Sequence, residues 1–504
     1  MVAPGRRAGS GMPEPARNLP DRGGSAPDRG PGPSTDSVRR RVDASPREGR
    51  CELDSARHIT PARLSHHVER RPRRSGTAGR DCRLTATIGP VTAQTPVALL
   101  RAKGRLRGGL PLLGPAFVAA IAYVDPGNFA TNFSGGATYG YLLLWVIVVA
   151  NAMAMLVQTL SAKTGLATGS NLAELCREHF PRRVTIGLWV QAELVAMATD
   201  LAEVIGGAIA LQLLFGLPLV VGGVLTGAVA FGLLGLQRRG YRRFELVIGG
   251  LFAVILLGFL VDLLRVHIDL GPAAAGLVPS FNGAGSVLLA TGILGATVMP
   301  HAIYLHSALT QERVPAADLL ERQHLLRHQR IDITVAMGLA GLVNVAMLVV
   351  AAALFAGHGL TDSNNLQAIH AGLARELDSG AALAFAVALL ASGFASAGVG
   401  TLSGQVVMQG FVRRSIPLLV RRAVTLAPAL IVLTIGVDPT RALVLSQVVL
   451  SFGLPFALVP LVLLTRRVDV MHELVNRRST TIAASTMVAV IVALNAFLTV
   501  QTLT

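Results

Sequence analysis

The chain has 504 residues, of which 52% are hydrophobic and only 15% are charged. A soluble domain carries about 25% charged residues, so this composition excludes an ordinary soluble fold. The formal net charge of +16 would favour a nucleic-acid partner in a soluble protein. In a membrane protein, arginines in short loops that face anionic lipid produce the same excess, so we expect no nucleic-acid partner.

Residues 1–95 differ from the rest because they are rich in Arg, Pro, Gly and Ser and contain no sustained apolar run. This composition predicts a disordered N-terminal extension. No short apolar run follows the basic start, so no signal peptide is expected. Two alternatives stay open: a start site placed too early at Met1, and a regulatory or surface-binding tail.

The three cysteines, Cys51, Cys82 and Cys176, form no CxxC pair. They predict neither a disulfide framework nor a cysteine metal site. The sequence contains no HExxH, GxSxG or phosphate-loop motif, so we expect neither an enzyme nor a prosthetic group.

From about residue 110 the chain consists of apolar blocks of about 20 residues, the length that crosses a hydrocarbon core. They predict an all-α polytopic membrane protein with eleven transmembrane helices, here named spans 1 to 11. In order, the predicted spans are 111–133, 140–163, 184–214, 218–236, 244–265, 284–310, 330–357, 381–412, 417–436, 441–465 and 481–502. The membrane domain is therefore expected to cover 105–504.

The loops indicate the orientation of the spans. Nineteen arginines lie in the loops that join even to odd spans, and three lie in the opposite loops. Because arginine-rich loops face the cytoplasm, the N-terminus is predicted inside and the C-terminus outside. A missed helix would destroy this alternation, so the arginines also support the count of eleven. We expect a multi-pass protein of the cell membrane.

Two spans contain a helix breaker, Asp125-Pro126-Gly127-Asn128 in span 1 and Met299-Pro300-His301 in span 6. Proline removes a backbone donor and glycine tolerates unusual dihedral angles, so both helices should unwind there. Unwound backbone at membrane depth occurs only where it lines a cavity or is buried in protein. The offset of five spans predicts two inverted five-helix repeats, with a substrate site between the broken helices.

The residue types at the breaks favour a metal ion. Asp125 offers an anionic oxygen, Asn128 a carbonyl oxygen and Met299 a thioether, and unwinding frees the carbonyls of Ala122 and Ala296. Calcium and magnesium prefer oxygen ligands alone, whereas a thioether favours manganese, iron, cobalt or cadmium. Simple packing is the alternative role for Met299. A carboxylate at mid-membrane costs at least about 2.5 kcal/mol, so Asp125 is expected to be functional.

Span 3 carries three carboxylates, Glu193, Asp200 and Glu203. Positions 193 and 200 share a helix face and position 203 adjoins it. Such a stripe favours a proton path, and a buried ion-paired strut is the alternative. His301 follows the breaker of span 6 and can respond to an acidic exterior, whereas His306, five residues on, points elsewhere.

Four further polar residues have two interpretations each. Gln158 in span 2 and Asn344 in span 7 are either gate residues or hydrogen-bonding contacts between helices, and we favour the second role. His324 and His328, before span 7, either bind a surface metal ion or lie on a solvated helix face, which is the simpler interpretation.

These motifs closely resemble those of the Nramp family, whose bacterial members are manganese transporters of the MntH type. The two broken-helix motifs carry the resemblance, together with the segment 303–307, which reads I-Y-L-H-S. Further matching segments are 198–203, 239–245 and 404–411. The resemblance runs from about residue 105 to the C-terminus. Ala302 departs from it, because the family usually has asparagine there, and we expect altered gating or helix restart rather than a lost primary ligand.

The resemblance implies a LeuT-like fold and proton-linked uptake of manganese or ferrous iron. It assigns metal contacts to Asp125, Asn128, Met299, Gln447 and the carbonyls of Ala122 and Ala296. It also makes Asp125 a proton acceptor. The implied proton path continues through His301, Asp200, Glu203, Glu193 and either Arg421 or Arg422. For the two arginines, ordinary anchoring at the cytoplasmic surface is the alternative.

The expected function is therefore proton-coupled import of Mn²⁺, and also of Fe²⁺, Cd²⁺ and Co²⁺, by a protein that needs no obligate protein partner. One alternative is a sodium- or proton-coupled symporter of organic solutes with the same architecture. Such sites hold a substrate carboxylate and gain nothing from an aspartate with a methionine. A second alternative is a membrane metal sensor that does not transport, for which a folded soluble domain would be expected.

Overall fold

A computed structural model of the chain describes residues 114–238, 241–311, 318–356, 365–413 and 417–503. All regular secondary structure in these ranges is helical. The predicted N-terminal extension, 1–95, and the predicted start of the membrane domain, 105–113, lie outside the described residues. Those two predictions therefore stay untested.

Each predicted span coincides with a helix or with a pair of helices separated by a break. In order, spans 1 to 11 are Pro115–Ile121 with Pro126–Tyr139, Leu144–Thr168, Arg182–Phe215, Leu219–Arg238, Tyr241–Arg265, Gly283–Thr297 with Pro300–Thr310, Leu319–Phe355, Ser379–Val412, Leu418–Ile435, Pro439–Thr465 and Arg478–Leu503. Within the described ranges, eight helical stretches are long and apolar enough to cross a membrane, and shorter apolar helices lie in spans 1, 4 and 9. The prediction of a helical, polytopic membrane protein is confirmed.

Span 1 breaks where the sequence predicts. Its first half ends at Ile121 and tightens into a 3-10 turn at Ala122–Val124. Asp125 is extended, with ψ 170°, and Pro126 starts the second half. Proline suits the first position of a helix because its φ is already helical and its missing N–H has no partner there anyway.

Span 6 breaks in the same manner. Val298 ends the first half with φ −110° and ψ 77°, and Met299 is extended, with φ −76° and ψ 124°. Pro300 then starts the second half. Proline at the restart is common to both breaks, which places the two interruptions at matching positions in spans 1 and 6.

Span 7 begins eleven residues before its predicted start at 330, so the prediction of a loop there is wrong. The carboxylate of Asp318 accepts a hydrogen bond from the backbone N–H of Glu321 at 2.8 Å and caps the new first turn. The residues that follow, L-L-E-R-Q-H-L-L, are mostly good helix formers. His324 and His328 therefore lie on the first turns of span 7 rather than in a loop.

The broken spans are held by helices of both repeats. The second half of span 1 packs against span 7, and the first half of span 6 packs against span 10. Phe129 and Phe133 of span 1 form edge-to-face or tilted contacts with Phe259 of span 5 and Phe385 of span 8, at centroid distances of 5.2 to 6.0 Å. Each such contact contributes about 0.5–1.5 kcal/mol beyond burial, so this cluster fixes the second half of span 1.

Candidate metal site

Asp125 caps the helix that follows the break of span 1. Its Oδ1 accepts hydrogen bonds from the backbone N–H and from Nδ2 of Asn128, both at 2.9 Å. This geometry follows from the local sequence, because an aspartate that precedes a helix-starting proline is a favourable N-cap. The second oxygen, Oδ2, is buried and has no hydrogen-bond partner among the described residues. The cap thus fixes the carboxylate and leaves one anionic oxygen for a ligand.

Asn128 joins the two broken spans. Its Nδ2 donates to the carbonyl of Ala296, at 3.1 Å, as well as to Asp125. Its Oδ1 is buried and lacks a partner in the described part of the chain. The structure therefore brings together three of the predicted metal-binding groups: those of Asp125, Asn128 and Ala296.

Gln447 of span 10 lies against the break of span 1. A Cβ atom placed on Gly127 would come within 1.9 Å of Gln447 Nε2, so only glycine permits this approach. Nε2 donates to Ser446 Oγ at 3.1 Å. Gln447 is fully buried, and no described residue donates to its Oε1. The side chain is thus positioned beside the Asp125-to-Asn128 turn, with its amide oxygen free.

Met299 and Ala122 occupy the two breaks themselves. Met299 is fully buried between Val298 and Pro300, and Ala122 is the first residue of the 3-10 turn in span 1. Both belong to the buried apolar cluster that surrounds the breaks. The structure therefore places each predicted metal-binding residue at or beside an interruption of span 1 or span 6.

The ends of the half-helices favour a cation at this place. Pro115–Ile121 and Gly283–Thr297 both end at a break, so their last carbonyls lack helical partners and carry partial negative charge. Within the described ranges no three His, Cys, Asp or Glu side chains are grouped as metal ligands. A divalent ion here would therefore be held by one carboxylate together with neutral oxygen and sulfur atoms.

Thr297 was not identified from the sequence. It is fully buried next to Ala296, and its Oγ1 has no hydrogen-bond partner in the described chain. Threonines within helices usually bond to their own backbone, as Thr291 does to the carbonyl of Val287 at 2.8 Å. The only available signal was the position of this hydroxyl directly before the break.

Tyr123 was also missed, although it lies two residues before Asp125. Gln158 donates to its hydroxyl, and Asn344 donates to its carbonyl at 2.9 Å. Gln158 Oε1 in turn contacts His306 Nδ1 at 2.7 Å. Gln158 and Asn344, for which the sequence supports either a gate role or contacts between helices, thus both hold the 3-10 turn of span 1.

A cavity of about 810 Å³ approaches the site from one end of the bundle. It is lined by the ends of spans 1, 6 and 10 and by loop residues that include Asn365 and Asp438. Its lining residue Val444 lies three positions before Gln447, which corresponds to about 4.5 Å along the helix. Asp125 nevertheless has no exposed surface, so the site is closed towards this cavity.

His301 lies at the restart of span 6, facing span 3. Its Nδ1 is 3.3 Å from Thr199 Oγ1, and its backbone carbonyl accepts a hydrogen bond from Ser403 at 2.7 Å. The neighbouring Asp200 is buried and interacts electrostatically with the ring. His306 contacts Gln158 instead, so the two histidines have separate environments, as their spacing predicts.

Glu203 lies on the side of span 3 that contacts span 8. A Cβ atom placed on Gly400 would come within 2.7 Å of Glu203 Oε1, so the carboxylate packs directly on that glycine. Glu203 is almost completely buried. Two carboxylates of the stripe therefore lie at helix contacts. Asp200 faces His301 of span 6, and Glu203 faces Gly400 of span 8.

Glu193 is ion-paired. Arg421 Nη2 lies 3.2 Å from Glu193 Oε2, and the arginine side chain is only 9% exposed. The guanidinium passes directly over Gly404 of span 8, where a Cβ atom would lie 1.8 Å from Nη2. Arg421 thus contacts the carboxylate stripe at Glu193. The side chain of Arg422 lies outside the described residues, so its predicted role is untested.

Comparison of the chain with known proteins identifies a family whose members are similar to it in sequence. A family model described as natural resistance-associated macrophage protein-like, or Nramp, matches residues 116–501. The chain belongs to the Nramp family. It is 54% identical over 389 residues to the divalent metal cation transporter MntH of Deinococcus radiodurans, a match covering 77% of this chain and 89% of the relative. It is 51% identical over 419 residues to MntH of Bacillus subtilis, covering 82% and 98% of the two chains.

Solved structures agree with this membership. A crystal structure of the Eremococcus coleocola manganese transporter, in complex with an aromatic bis-isothiourea substituted compound, has 34% sequence identity and a TM-score of 0.71, covering 78% of this chain and 87% of that one. Mhp1, a nucleobase-cation-symport-1 family transporter, has a TM-score of 0.52 at 15% identity and shows a shared fold alone. The predicted LeuT-like arrangement with broken spans 1 and 6 is confirmed. Because Nramp relatives are named as transporters, the prediction that the chain is no enzyme is also confirmed.

Proposed function

We propose that this multi-pass Nramp protein imports divalent transition metal ions across the cytoplasmic membrane, coupled to the entry of protons. The observation that carries the proposal is the buried Oδ2 of Asp125, beside the amide oxygens of Asn128 and Gln447, none of which has a hydrogen-bond partner among the described residues. Buried polar atoms without partners are unfavourable unless a ligand satisfies them. A divalent cation would satisfy all three oxygens at once.

The proposed ligands are Asp125, Asn128, Met299, Gln447 and the carbonyls of Ala122 and Ala296. A single carboxylate with a thioether suits a transition ion better than calcium or magnesium, which prefer sets of oxygen ligands. Manganese is the first candidate, because relatives are named as divalent metal cation and manganese transporters. Iron, cobalt and cadmium are expected to follow, since ligand type rather than raw affinity sets the choice among them.

The direction of transport follows from the proposed orientation, with the N-terminus inside. The cavity at the ends of spans 1, 6 and 10 then opens to the exterior. An ion entering it would exchange water for the ligands at the breaks, and release would require movement of the first half of span 1. The membrane potential favours inward positive charge by about 2.3 kcal/mol per charge per 100 mV.

The proposed proton path starts at Asp125 and continues past His301 to Asp200 and Glu203. Glu193, with Arg421, forms its inner end. Asp200 lies seven positions after Glu193, which corresponds to about 10.5 Å along the helix, so water must bridge this step. The ion pair of Glu193 also agrees with the alternative of a structural strut for that one carboxylate.

The test is radioactive manganese uptake into proteoliposomes with an inward proton gradient, for the wild-type chain and Asp125→Asn. The wild-type chain should accumulate manganese and acidify the interior, as read by an enclosed pH dye, whereas Asp125→Asn should lose uptake. Uptake without acidification would contradict proton coupling. Normal uptake by Asp125→Asn would contradict the assigned site, and no uptake by folded wild-type protein would contradict metal import.

A further inference from the structure

Two histidines lie together on the first turns of span 7, away from the transport site. His324 and His328 are one helical turn apart, and their ring centroids are separated by 4.3 Å with the planes inclined by 55°. Both residues are half-buried. Neither has a part in the proposed metal site or in the proton path, so the pair is unexplained by the proposed function.

Hydrogen bonding fixes one ring of the pair. His328 Nδ1 lies 3.0 Å from the backbone carbonyl of His324. Only a protonated Nδ1 can donate to a carbonyl, so the neutral ring carries its lone pair on Nε2. Histidines that bind metals commonly donate their other N–H to a carbonyl in this manner, because the bond orients the ring.

The spacing of the rings is compatible with a metal ion shared between them. With metal–nitrogen bonds of about 2.0 Å, two imidazoles at right angles around one ion have centroids about 4.4 Å apart, whereas a tetrahedral angle gives about 5.1 Å. The observed 4.3 Å matches the right angle. Adjacent ligands at about 90° with nitrogen donors are typical of square-planar and tetragonal ions, of which Cu²⁺ and Ni²⁺ are the main biological examples.

The surrounding charge disfavours hard cations. Three arginines, Arg322, Arg327 and Arg330, lie on the same helical segment, against one carboxylate, Glu321. The net positive charge repels ions that are held mainly by charge, such as magnesium and calcium, while directional nitrogen–metal bonds still operate. In the proposed orientation, the segment lies on the cytoplasmic side of the membrane.

We propose that His324 and His328 form a second metal site, separate from the transport site, for a tetragonal divalent ion of the Cu²⁺ and Ni²⁺ class. Each histidine would contribute one ring nitrogen to neighbouring positions around the ion. The inference rests on the geometry of this pair and does not depend on transport through the site at Asp125.

Cu²⁺ is the probe for the test, because pulsed electron paramagnetic resonance detects the remote nitrogen of a bound imidazole. The full chain in lipid nanodiscs receives one equivalent of Cu²⁺. The proposed transport ligands include no histidine, so imidazole modulation excludes the transport site, and the variants decide whether it comes from this pair. Two variants accompany the wild type: His328→Gln, and Gln323→His combined with His324→Gln. The second keeps two histidines but sets them five residues apart, about 140° around the helix. Gln323 is exposed, so this exchange places no new side chain in the core.

The wild type should show modulation from two imidazoles, and both variants should lose it and bind Cu²⁺ about tenfold or more weakly. Absence of imidazole modulation in the wild type would overturn the proposal. Modulation by two imidazoles that persists in either variant would also overturn it, since other histidines would then be the ligands. Size-exclusion profiles confirm folding. Manganese uptake, measured separately, tests the transport function alone, so failure of one proposal is distinguishable from failure of the other.

Discussion

Asp125 combines a structural and a ligand-binding capacity in one carboxylate. Oδ1 is occupied by the two donors of Asn128, and Oδ2 is left without a partner in the described chain. Bonds to Oδ1 restrain rotation of the carboxylate, so the free oxygen has a fixed direction before any ion arrives. A preorganised ligand loses little conformational freedom on binding, which supports affinity without a second acidic side chain.

Met299 is the residue on which metal selectivity should depend. Met299→Ala removes the only thioether of the proposed ligand set, so softer ions lose an advantage over calcium and magnesium. We expect the ratio of calcium to manganese uptake in proteoliposomes to rise about tenfold, equivalent to about 1.4 kcal/mol. Met337→Ala is the matched control. Met337 is fully buried in span 7 and lies outside the proposed ligand set, so its substitution removes the same side-chain volume without removing a ligand. If Met299→Ala leaves the ratio of calcium to manganese uptake unchanged, Met299 contributes only to packing and not to selectivity.

The sequence predicted the residues of the site that depend on local rules. The aspartate that caps the helix, the proline that starts it and the unwound segment all lie within a few positions of one another in the sequence. Gln447 was reached only through family resemblance, because its approach to Gly127 joins positions 320 apart. Thr297 and Tyr123 were missed because their significance depends on contacts, or missing contacts, that no spacing along the chain reveals.

At the scale of elements, the first half of span 1 is a short helix that depends on contacts with neighbouring helices for its stability. Pro115–Ile121 has only seven residues, fewer than an isolated helix needs in order to persist. Its start is held by Asp332 of span 7, whose carboxylate accepts from the N–H of Gly114 and of Ala116, the latter at 3.0 Å. A carboxylate at a helix N-terminus also complements the positive end of the helix dipole. This contact lies at the end of span 1 opposite the cavity and joins that end to span 7.

Removing the Asp332 contact should open the inner side. Asp332→Ala deletes the charge-assisted hydrogen bonds, which contribute about 1.5–3 kcal/mol each in favourable cases. A cysteine introduced at the buried position Ala120, in a chain with Cys51, Cys82 and Cys176 replaced by serine, should then react with maleimide at least about tenfold faster. Asp332→Asn retains an acceptor oxygen and serves as the control, with an intermediate rate. Equal rates in all three chains would show that Asp332 does not hold span 1 closed.

Element boundaries illustrate a second limit of the sequence. The eleven apolar blocks were sufficient to identify the spans, but hydropathy did not reveal that span 7 continues to Leu319. Its first turns are amphiphilic and charged, and their helical state depends on the Asp318 cap and on packing. Asp332 escaped notice for a related reason, since a carboxylate near a predicted helix end resembles an ordinary loop residue.

At the scale of the whole molecule, the distribution of arginines among the loops is the strongest sequence evidence for the orientation of the spans in the membrane. It is a property of the loops alone and needs no knowledge of packing. The arrangement of spans around the site, by contrast, required the repeat argument and the structure. The orientation also determines the role of the cavity. The cavity of about 810 Å³ at the ends of spans 1, 6 and 10 is an entrance for ions only if those ends face the exterior.

Cysteine labelling tests this orientation directly. In the chain without native cysteines, His267→Cys lies between spans 5 and 6 and Glu473→Cys lies between spans 10 and 11, and both positions are exposed. A maleimide that cannot cross membranes should label His267→Cys on intact cells, whereas Glu473→Cys should react only after permeabilisation, because arginine-rich loops stay inside. The reverse pattern would place the cavity on the cytoplasmic side. The same site would then receive ions from within, and export rather than import would become the function to test.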